Sequence, residues 1–351
     1  MTASEAPRDR PAAPLCDFCG LPCPPTPVTD EVRGDVYEFC SESCRDALRA
    51  GDGGNAAFHG LERFDPSVPL LSSQLPDGMP RNSFVLLADH VGTRGDALLV
   101  ELAWQLLQRG GSAVFVTYQE PPSSLVEQFL ALRWNVFPYL ESGQLRIVDC
   151  FTYRLDDAER MVDRMNRWTR HIHRATTPAT AAVRDPTDLR SVRNKLDDAL
   201  LAADARDRGL VAFDSLTELG TLVQPTLAYD FVKDLRADVC KGRFVPVFAR
   251  APYRVDTEEF PHDLSYVMDG LVEMRTEERR AAGPINQVRV RKMRGVPTTP
   301  RWTPYEYLGD QGLVSSRPRT APPADRTDGA SRRAAAGRLT PRCRRRIPRW
   351  R

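Results

Sequence analysis

Lysine is nearly missing from this chain. Four occur, at Lys195, Lys233, Lys241 and Lys292, so 45 of its 49 basic residues are arginine and none of the first 194 residues is a lysine. Long apolar runs are missing too. No stretch approaches the roughly 18 apolar residues of a membrane span, and the opening MTASEAPRDRPAAP lacks the apolar core of a signal peptide. A soluble cytoplasmic protein, away from membranes, is the expectation. Internal repeats are absent as well. With 351 residues, the chain has room for about two domains and tails.

The net charge of +2 hides an uneven distribution. Ser316–Arg351 holds twelve arginines against two aspartates, and without it the body stands near −8. A carboxylate-rich, lysine-poor body resembles proteins of salt-loving archaea, whose surfaces resist salting out. GC-rich coding produces the same preference for arginine, and both explanations stay open.

Eight cysteines are present, five of them between Cys16 and Cys44. In an intracellular protein such a cluster favours metal over disulfides. The pattern is Cys16-Asp-Phe-Cys19 and then, about twenty residues on, Cys40-Ser-Glu-Ser-Cys44. Two short-spaced pairs supply four thiolates to a tetrahedral Zn²⁺. Gly20 allows a tight turn at the first pair. The second pair follows the strand-like Val36–Phe39 and opens a short helix, Glu42–Ala50. FCSESC resembles the treble-clef modules of the TRASH type, and the resemblance implies a structural zinc held by Cys16, Cys19, Cys40 and Cys44. A module so small draws its folding energy from the metal; a metal sensor or metallochaperone is the competing role. Cys23 is either a spare thiol or a means of ligand exchange, and His59 is a remote alternative ligand. Cys150 and Cys240 lie in apolar surroundings and read as core residues.

Residues 1–14 read as disordered, 15–50 as the cysteine module, 51–59 as a linker, 60–313 as one α/β domain and 314–351 as a disordered Arg-rich tail. Within the α/β domain, buried strands are expected at Ser83–Ala88, Ala113–Tyr118, Leu145–Cys150, Leu210–Asp214 and Phe244–Ala249. Helices are expected at Asp96–Arg109, Pro122–Trp134, Leu189–Arg208 and Thr226–Lys241, with Gly110-Gly111 ending the first of them. Arg174–Pro186 reads as a surface loop. Gly270–Arg275 and Gln287–Met293 are expected to form an antiparallel edge. Alternating strands and helices imply a mainly parallel sheet covered on both faces.

Residues from about 60 to 310 resemble the RecA/KaiC-like P-loop ATPases. RNSFVLLADHVGTRGDALLVELAWQLLQRGGSAVFVTYQEPP is similar to the family's first strand, phosphate loop, helix and second strand, with Gln119-Glu120-Pro121 where the family has two acidic residues and a proline. LVAFDSLTEL is similar to the Walker B strand, and YVMDGLVEMR and VRVRKMRG are similar to the late strands. The resemblance implies a RecA-like sheet with ATP and Mg²⁺ at Gly92, Thr93, Arg94, Gly95, Asp96 and Asp214. It assigns Glu120 and Asp214 to catalysis, and Lys292 and Arg294 to a role across a subunit interface. Asp214 also reads as a helix N-cap, and Lys292 and Arg294 as a charged strand end.

The loop departs from what a nucleotide needs. In GxxxxGK(S/T) the glycines let backbone N–H groups wrap the phosphates, the lysine reaches the β- and γ-phosphates, and the hydroxyl holds Mg²⁺. Here Gly95 stands in place of the lysine and Asp96 in place of the hydroxyl. Arg94 offers a planar fork, not a compact ammonium. Gln119 cannot take a proton from water, whereas Glu120 can. Phosphoryl transfer rests on positioning and electrostatics, so these losses together point to a pseudo-ATPase with a regulatory or scaffolding role and a protein partner. The competing readings are a divergent ATPase that assembles into nucleotide-dependent oligomers, and a RecA-like DNA-binding protein using the zinc module and the basic tail. The tail itself reads as a solvated or unselected extension, or as a nucleic-acid contact.

Overall fold

The structure, a computed structural model, describes residues 14–32, 34–50, 63–154, 162–252, 261–279 and 283–316. The expected disordered N-terminus ahead of Pro14, the linker with His59, and the arginine-rich tail with Cys343 lie outside the described residues. No helix among the described residues is long and apolar enough to cross a membrane.

The cysteine module is a hairpin followed by a helix: β1 (Val28–Val32) pairs antiparallel with β2 (Asp35–Phe39), and α1 (Glu42–Arg49) follows. Ser41 caps the helix, its hydroxyl accepting from the Cys44 N–H at 3.3 Å. The Asp17 carboxylate accepts from the Glu38 N–H at 2.6 Å, tying the Cys16–Cys19 knuckle to the hairpin. Phe39 and three cysteines form its small core.

In the α/β domain a short pair, β3 (Arg63–Phe64) and β4 (Met79–Pro80), flanks α2 (Pro69–Ser72). Chain order then runs β5 (Phe84–Asp89), α3 (Gly95–Gln108), β6 (Ser112–Thr117), α4 (Pro122–Ala131), α5 (Phe137–Ser142), β7 (Leu145–Asp149), α6 (Arg167–Thr176), β8 (Thr180–Ala182), α7 (Leu189–Ala202) and β9 (Gly209–Asp214). It continues with α8 (Leu216–Leu222), α9 (Pro225–Leu235), β10 (Val247–Pro252), β11 (Gly270–Arg279), β12 (Gly283–Met293), β13 (Thr303–Leu308) and β14 (Gly312–Ser315). The ten strands lie in the order β14-β13-β12-β11-β5-β10-β9-β6-β7-β8. From β11 to β8 all neighbours are parallel, and β12 to β14 add an antiparallel edge.

Both faces of the central strands are buried, and the two-residue period of a strand sorts their side chains. Val85, Leu87, Phe115, Ala212 and Phe248 pack with Leu98, Leu102 and Phe129 on one side. Phe84, Leu86, Val114, Val211 and Phe213 pack with Val192, Leu196 and Phe231 on the other. That sorting makes the apolar runs of the sequence near-continuous instead of alternating, as expected for a doubly covered parallel sheet.

Several expected boundaries move. Arg174–Pro186 is not one loop: α6 runs to Thr176, a 3₁₀ turn follows at Thr177–Ala179, and β8 pairs parallel with β7 at the sheet edge. Three Thr/Ala residues carry too weak a strand preference to be read without their neighbour. The expected strand at Phe244–Ala249 is shifted to Val247–Pro252, because Phe244 adopts φ 53° and cannot extend, while β5 and β9 fix the register. The expected Leu189–Arg208 helix stops at Ala202, before Asp204 and Asp207, both with positive φ. The Thr226–Lys241 helix changes to a π-helical stretch at Arg236–Gly242. Gly270–Arg275 and Gln287–Met293 do pair antiparallel, as expected, but Gly270–Arg275 is not at the edge, since β11 also pairs parallel with β5. The antiparallel edge starts at β12 and ends with β14, whose last residue, Ser315, lies beyond the expected end of the domain.

Candidate functional site

Three adjacent central strands end at the phosphate-loop segment. The alternation that puts Leu87, Phe248 and Ala212 on the α3 face puts Asp89, Arg250 and Asp214 on that same face at the carboxyl ends of β5, β10 and β9. The Arg250 guanidinium joins the two carboxylates. Its Nε donates to both Asp89 oxygens at 3.1 Å and its Nη2 to Asp89 Oδ2 at 3.0 Å. Its Nη1 donates to Asp214 Oδ1 at 3.2 Å and to Gln119 Oε1 at 3.2 Å. The side chains of Arg250, Asp214 and Asp89 are 13 %, 16 % and 2 % exposed, so this is a mostly desolvated ion triad with one cation for two anions.

Burial pushes Asp214 up to about 6; Arg250 opposes that shift, while Asp89 and Asp96 add to it. Burial also raises Asp89 against the pull of Arg250. Desolvation works against the Arg250 charge, but the flanking Asp214 and Asp89 outweigh it and hold the guanidinium firmly protonated.

The Asp89 carboxylate also accepts a backbone hydrogen bond from Gly95, the first residue of α3. A helix N-terminus is where a phosphate loop presents N–H groups to its anion. Here a side-chain carboxylate sits there. A Cβ added at Gly95 would lie 2.5 Å from Asp89 Cγ and 2.6 Å from its Oδ2, so the first atoms of any longer side chain at position 95 meet Asp89. Asp96 follows in the first turn, favoured there by the helix dipole.

The rest of the loop is tied to the antiparallel edge. Arg94 takes the left-handed conformation, φ 62° and ψ 46°. Its guanidinium lies 4.3 Å from the centre of the Tyr307 ring and 3.5 Å from Asp96, so it is engaged within the chain. The Thr93 hydroxyl donates to the His90 carbonyl at 2.7 Å, and the Thr93 carbonyl accepts from Tyr305 Oη. Asn286 Nδ2 donates to the Gly92 carbonyl at 3.4 Å.

The structure thus brings Gly92, Thr93, Arg94, Gly95, Asp96 and Asp214 to one end of the sheet. Asp214 is not the cap of α8; Ser215 is, its hydroxyl accepting from the Glu218 N–H at 3.3 Å. Glu120 stands apart from the triad and accepts from Gln128 Nε2 at 3.0 Å. Lys292 and Arg294 lie near the other end of β5. The Asp269 carboxylate accepts from the N–H of Phe84 at 3.1 Å and from Arg294 Nη1 at 3.1 Å, and Arg236 pairs with it at 2.8 Å. Lys292 Nζ donates to the Ser265 and Tyr266 carbonyls. Five residues of strand, about 17 Å, separate that end from Asp89, so one chain does not bring Lys292 and Arg294 to its own loop. Arg250, Asp89 and Tyr305 are the residues that sequence reasoning missed. The available signal was an arginine closing the apolar run FVPVFAR, which in a central strand demands a buried anion.

In the N-terminal module the sulfurs of Cys16, Cys19, Cys40 and Cys44 all lie within 4.8 Å of one another. Two of the contacts are Cys19–Cys40 at 3.6 Å and Cys40–Cys44 at 3.5 Å. Four ligands at a Zn–S distance of about 2.3 Å stand about 3.8 Å apart in a tetrahedron, so the cluster fits that ion. Burial raises the Cys19 thiol to about 12 and raises Cys44 too, whereas at Cys16 the N–H groups of Cys19, Cys40 and Phe18 overcome burial and bring the group down to about 7. Backbone donors aimed at sulfur are what a metal-bound thiolate requires. Cys23 is buried beside the four but is outside the cluster. Cys150 and Cys240 are fully buried free thiols in the α/β core, as their apolar surroundings led us to expect.

Residues 15–47 match the family model of the MYM-type zinc finger with FCS sequence motif, the motif being Phe39-Cys40-Ser41. A UPF0273 protein of Methanopyrus kandleri is 25% identical over 254 residues, covering 72% of this chain and 91% of that protein. A UPF0273 protein of Thermotoga maritima is 23% identical, covering 72% and 96%. The circadian clock protein KaiC3 of Synechocystis is 26% identical over 90 residues, which is 26% of this chain and 18% of that one. The crystal structure of a KaiC-like protein from Pyrococcus horikoshii shares the fold, with a TM-score of 0.53 at 17% identity, covering 73% of this chain and 99% of that one. Residues 60–315 match the family model described as ATPase: KaiC, and the chain therefore belongs to the KaiC ATPase family.

Proposed function

We propose that this KaiC-family chain is a pseudo-ATPase, a regulatory or scaffolding protein whose α/β domain offers a partner-binding surface instead of hydrolysing ATP. The observation that carries the reading is the Asp89 carboxylate at the first residue of α3, paired to Arg250. It occupies the helix N-terminus on which a phosphate would rest, and it blocks a lysine at position 95. Counting Asp89, Asp96 and Asp214 against Arg94 and Arg250, the pocket is net negative, so an incoming triphosphate meets repulsion where the family's loop offers attraction. Gln119 is held by Arg250 and cannot take a proton, and Glu120, which could, accepts from Gln128 apart from the triad.

Cys16, Cys19, Cys40 and Cys44 would hold one structural Zn²⁺, which would supply the folding energy of the small N-terminal module. That module, over residues 15–50, would add a second protein contact to the domain that begins near residue 60. The deciding experiment titrates the zinc-loaded protein, with Mg²⁺, with a fluorescent ATP analogue and follows phosphate release in parallel. Neither binding up to millimolar nucleotide nor turnover is expected. Turnover that disappears in Asp214→Ala would overturn the reading and make the chain a divergent ATPase.

A further inference from the structure

We propose that the exposed face of α6 is a binding strip for single-stranded nucleic acid, separate from the cysteine module and the basic tail. The helix reads NRWTRHIHRAT from its cap, Asn166, whose side chain accepts from the Thr169 N–H at 2.9 Å. Its inner face is set by Ile172 and Thr176, both buried, with α4 and α5 beneath. The residues left exposed are Arg164, just before the helix, then Arg167, Trp168, His171 and Arg174. Spacings of three and four place them in one row.

The row is basic in a body that is otherwise acidic. Residues 162–176 contain four arginines and two histidines against one acid, Asp163. Some arginines elsewhere on the fold pair with carboxylates, as Arg193 and Arg243 do with Asp234 and Asp197. Among the described residues no carboxylate lies within ion-pair distance of Arg164, Arg167, Arg170 or Arg174. Arg170 donates instead to the carbonyls of Asp163 and Met165. Arg167, Arg170, His171 and Arg174 line a recess of 380 Å³ together with Met165. Guanidinium groups gathered around a recess are what recognises phosphate oxygens.

An aromatic ring decides between polyanions. Trp168 is 55 % exposed, and its ring lies 6.0 Å from that of His171, which in turn contacts Phe137 of α5 at 5.4 Å. The indole is thus backed from one side and open on the other. Single-stranded nucleic acids offer both partners at once, phosphates for the arginines and unstacked base faces for the indole. A duplex hides its base faces, and an acidic polypeptide has no ring for Trp168 to meet. Arg167 and Arg174 stand two turns apart, about 10 Å along the axis, so the strip suits a short run of nucleotides.

The test uses the full-length, zinc-loaded protein and a fluorescent twenty-nucleotide oligo(dT), with anisotropy followed from about 50 to 200 mM salt. Arg167→Gln/Arg174→Gln should flatten the plot of log affinity against log salt by about 1.4, from about 0.7 per lost phosphate contact. Trp168→Ala should weaken binding roughly ten-fold, with Trp168→Phe recovering most of it, since the ring and not the indole N–H does the stacking. Melting temperatures should not move, because every altered side chain is exposed. Variants that bind as the wild type does would refute the strip and leave any affinity to the tail or the cysteine module. Equal competition by polyglutamate would refute the nucleic-acid assignment in favour of an acidic protein partner. No binding at the lowest salt would refute both.

Discussion

Replacing Arg250 with methionine tests the ion triad directly. The substitution keeps the length and apolar stem of the side chain but leaves Asp89 and Asp214 without their shared cation, in a place where they are 2 % and 16 % exposed. Removing one partner of a buried pair costs about 3–5 kcal/mol, because the remaining charge stays desolvated. For a domain of this size each kcal/mol moves the melting temperature by about 2–4 °C, so a drop of about 10 °C is expected at pH 8. The pH dependence is the sharper readout. Asp214 already stands at about 6 in the folded protein, above its ordinary 3.8, through burial, with Arg250 holding it down. A carboxyl raised by folding contributes stability that is full below its unfolded value and is lost as pH climbs through its folded value. Without Arg250 that folded value rises further for both aspartates, so the variant continues to lose stability above pH 6 where the wild type has levelled off. Thermal melts followed by circular dichroism at pH 5, 6, 7 and 8 should show the gap between variant and wild type widening with pH. A second variant, Arg250→Met/Asp89→Leu, removes one anion as well and should recover part of the loss. An Arg250→Met protein that melts within a degree or two of wild type at every pH would refute the triad.

Three other expectations follow from particular contacts. Gly95→Ala places a methyl 2.5 Å from Asp89 Cγ and should cost about 1–3 kcal/mol by overpacking, a cost that should largely disappear when the same substitution is made in an Asp89→Gly background; chemical denaturation of the four proteins measures it. Glu101 is buried in α3, accepts from the Leu313 N–H at 2.9 Å, and is pushed up to about 7 by burial against that hydrogen bond. Its contribution is therefore full below about 4.5 and lost as pH rises through 7; Glu101→Gln keeps an acceptor without the charge, so its stability relative to wild type should improve by up to about 3 kcal/mol between pH 5 and 8. In the N-terminal module, a colorimetric zinc assay should find one ion per chain; Cys40→Ser should abolish it and Cys23→Ser should not, since Cys23 is outside the four-sulfur cluster.

The central strands and the four-cysteine cluster were legible in the sequence for the same reason: each is a local pattern. FVLLA, AVFVT and LVAFD are apolar runs too short for helices, and two short-spaced cysteine pairs carry their own geometry. The antiparallel pair β11–β12 was legible, but the outer strands of that edge were not, because Pro304 and the polar residues of Thr303–Leu308 hide a strand that pairs only with β12 and β14. β8 was missed for the same cause at the opposite edge. At the candidate site, the missing lysine was plain from Gly95, but what replaced it was not. Asp89 and Arg250 are 161 positions apart and meet only because β5 and β10 are neighbours in the sheet. Arg94 offered itself as a phosphate contact; the ring of Tyr307, on a strand the sequence did not announce, takes it instead.

On the proposed reading, the triad also accounts for how a fold built around an anion site stays folded with that site rewritten. Without Arg250, Asp89 would be an unpaired carboxylate at the end of a fully buried strand, and without Asp89, Arg250 would keep only Asp214 and Gln119 as side-chain partners; either loss is costly. Together they reproduce the charge pattern of a loaded phosphate loop inside one chain. The Asp89 carboxylate lies at the Gly95 N–H as a phosphate would, and Arg250 supplies the positive charge that a loop lysine would have brought. Asp214 keeps a cationic neighbour where Mg²⁺ would otherwise be its partner. The arrangement then predicts an order of effects. Asp89→Gly by itself should weaken the fold, because it strips Arg250 of its bidentate partner, and should give no turnover, because position 95 still lacks the lysine. Asp89→Gly with Gly95→Lys and Asp96→Thr removes the carboxylate, opens the space its atoms fill and restores the two missing groups, while Arg250 remains beside Asp214. If an internal ion pair is what stands in for nucleotide, that triple variant should bind the ATP analogue where the wild type does not, and nucleotide should raise its melting temperature by mass action. A triple variant that melts as a folded protein yet gains neither binding nor stabilisation would show that the loop was lost for a reason other than the occupation of its anion site.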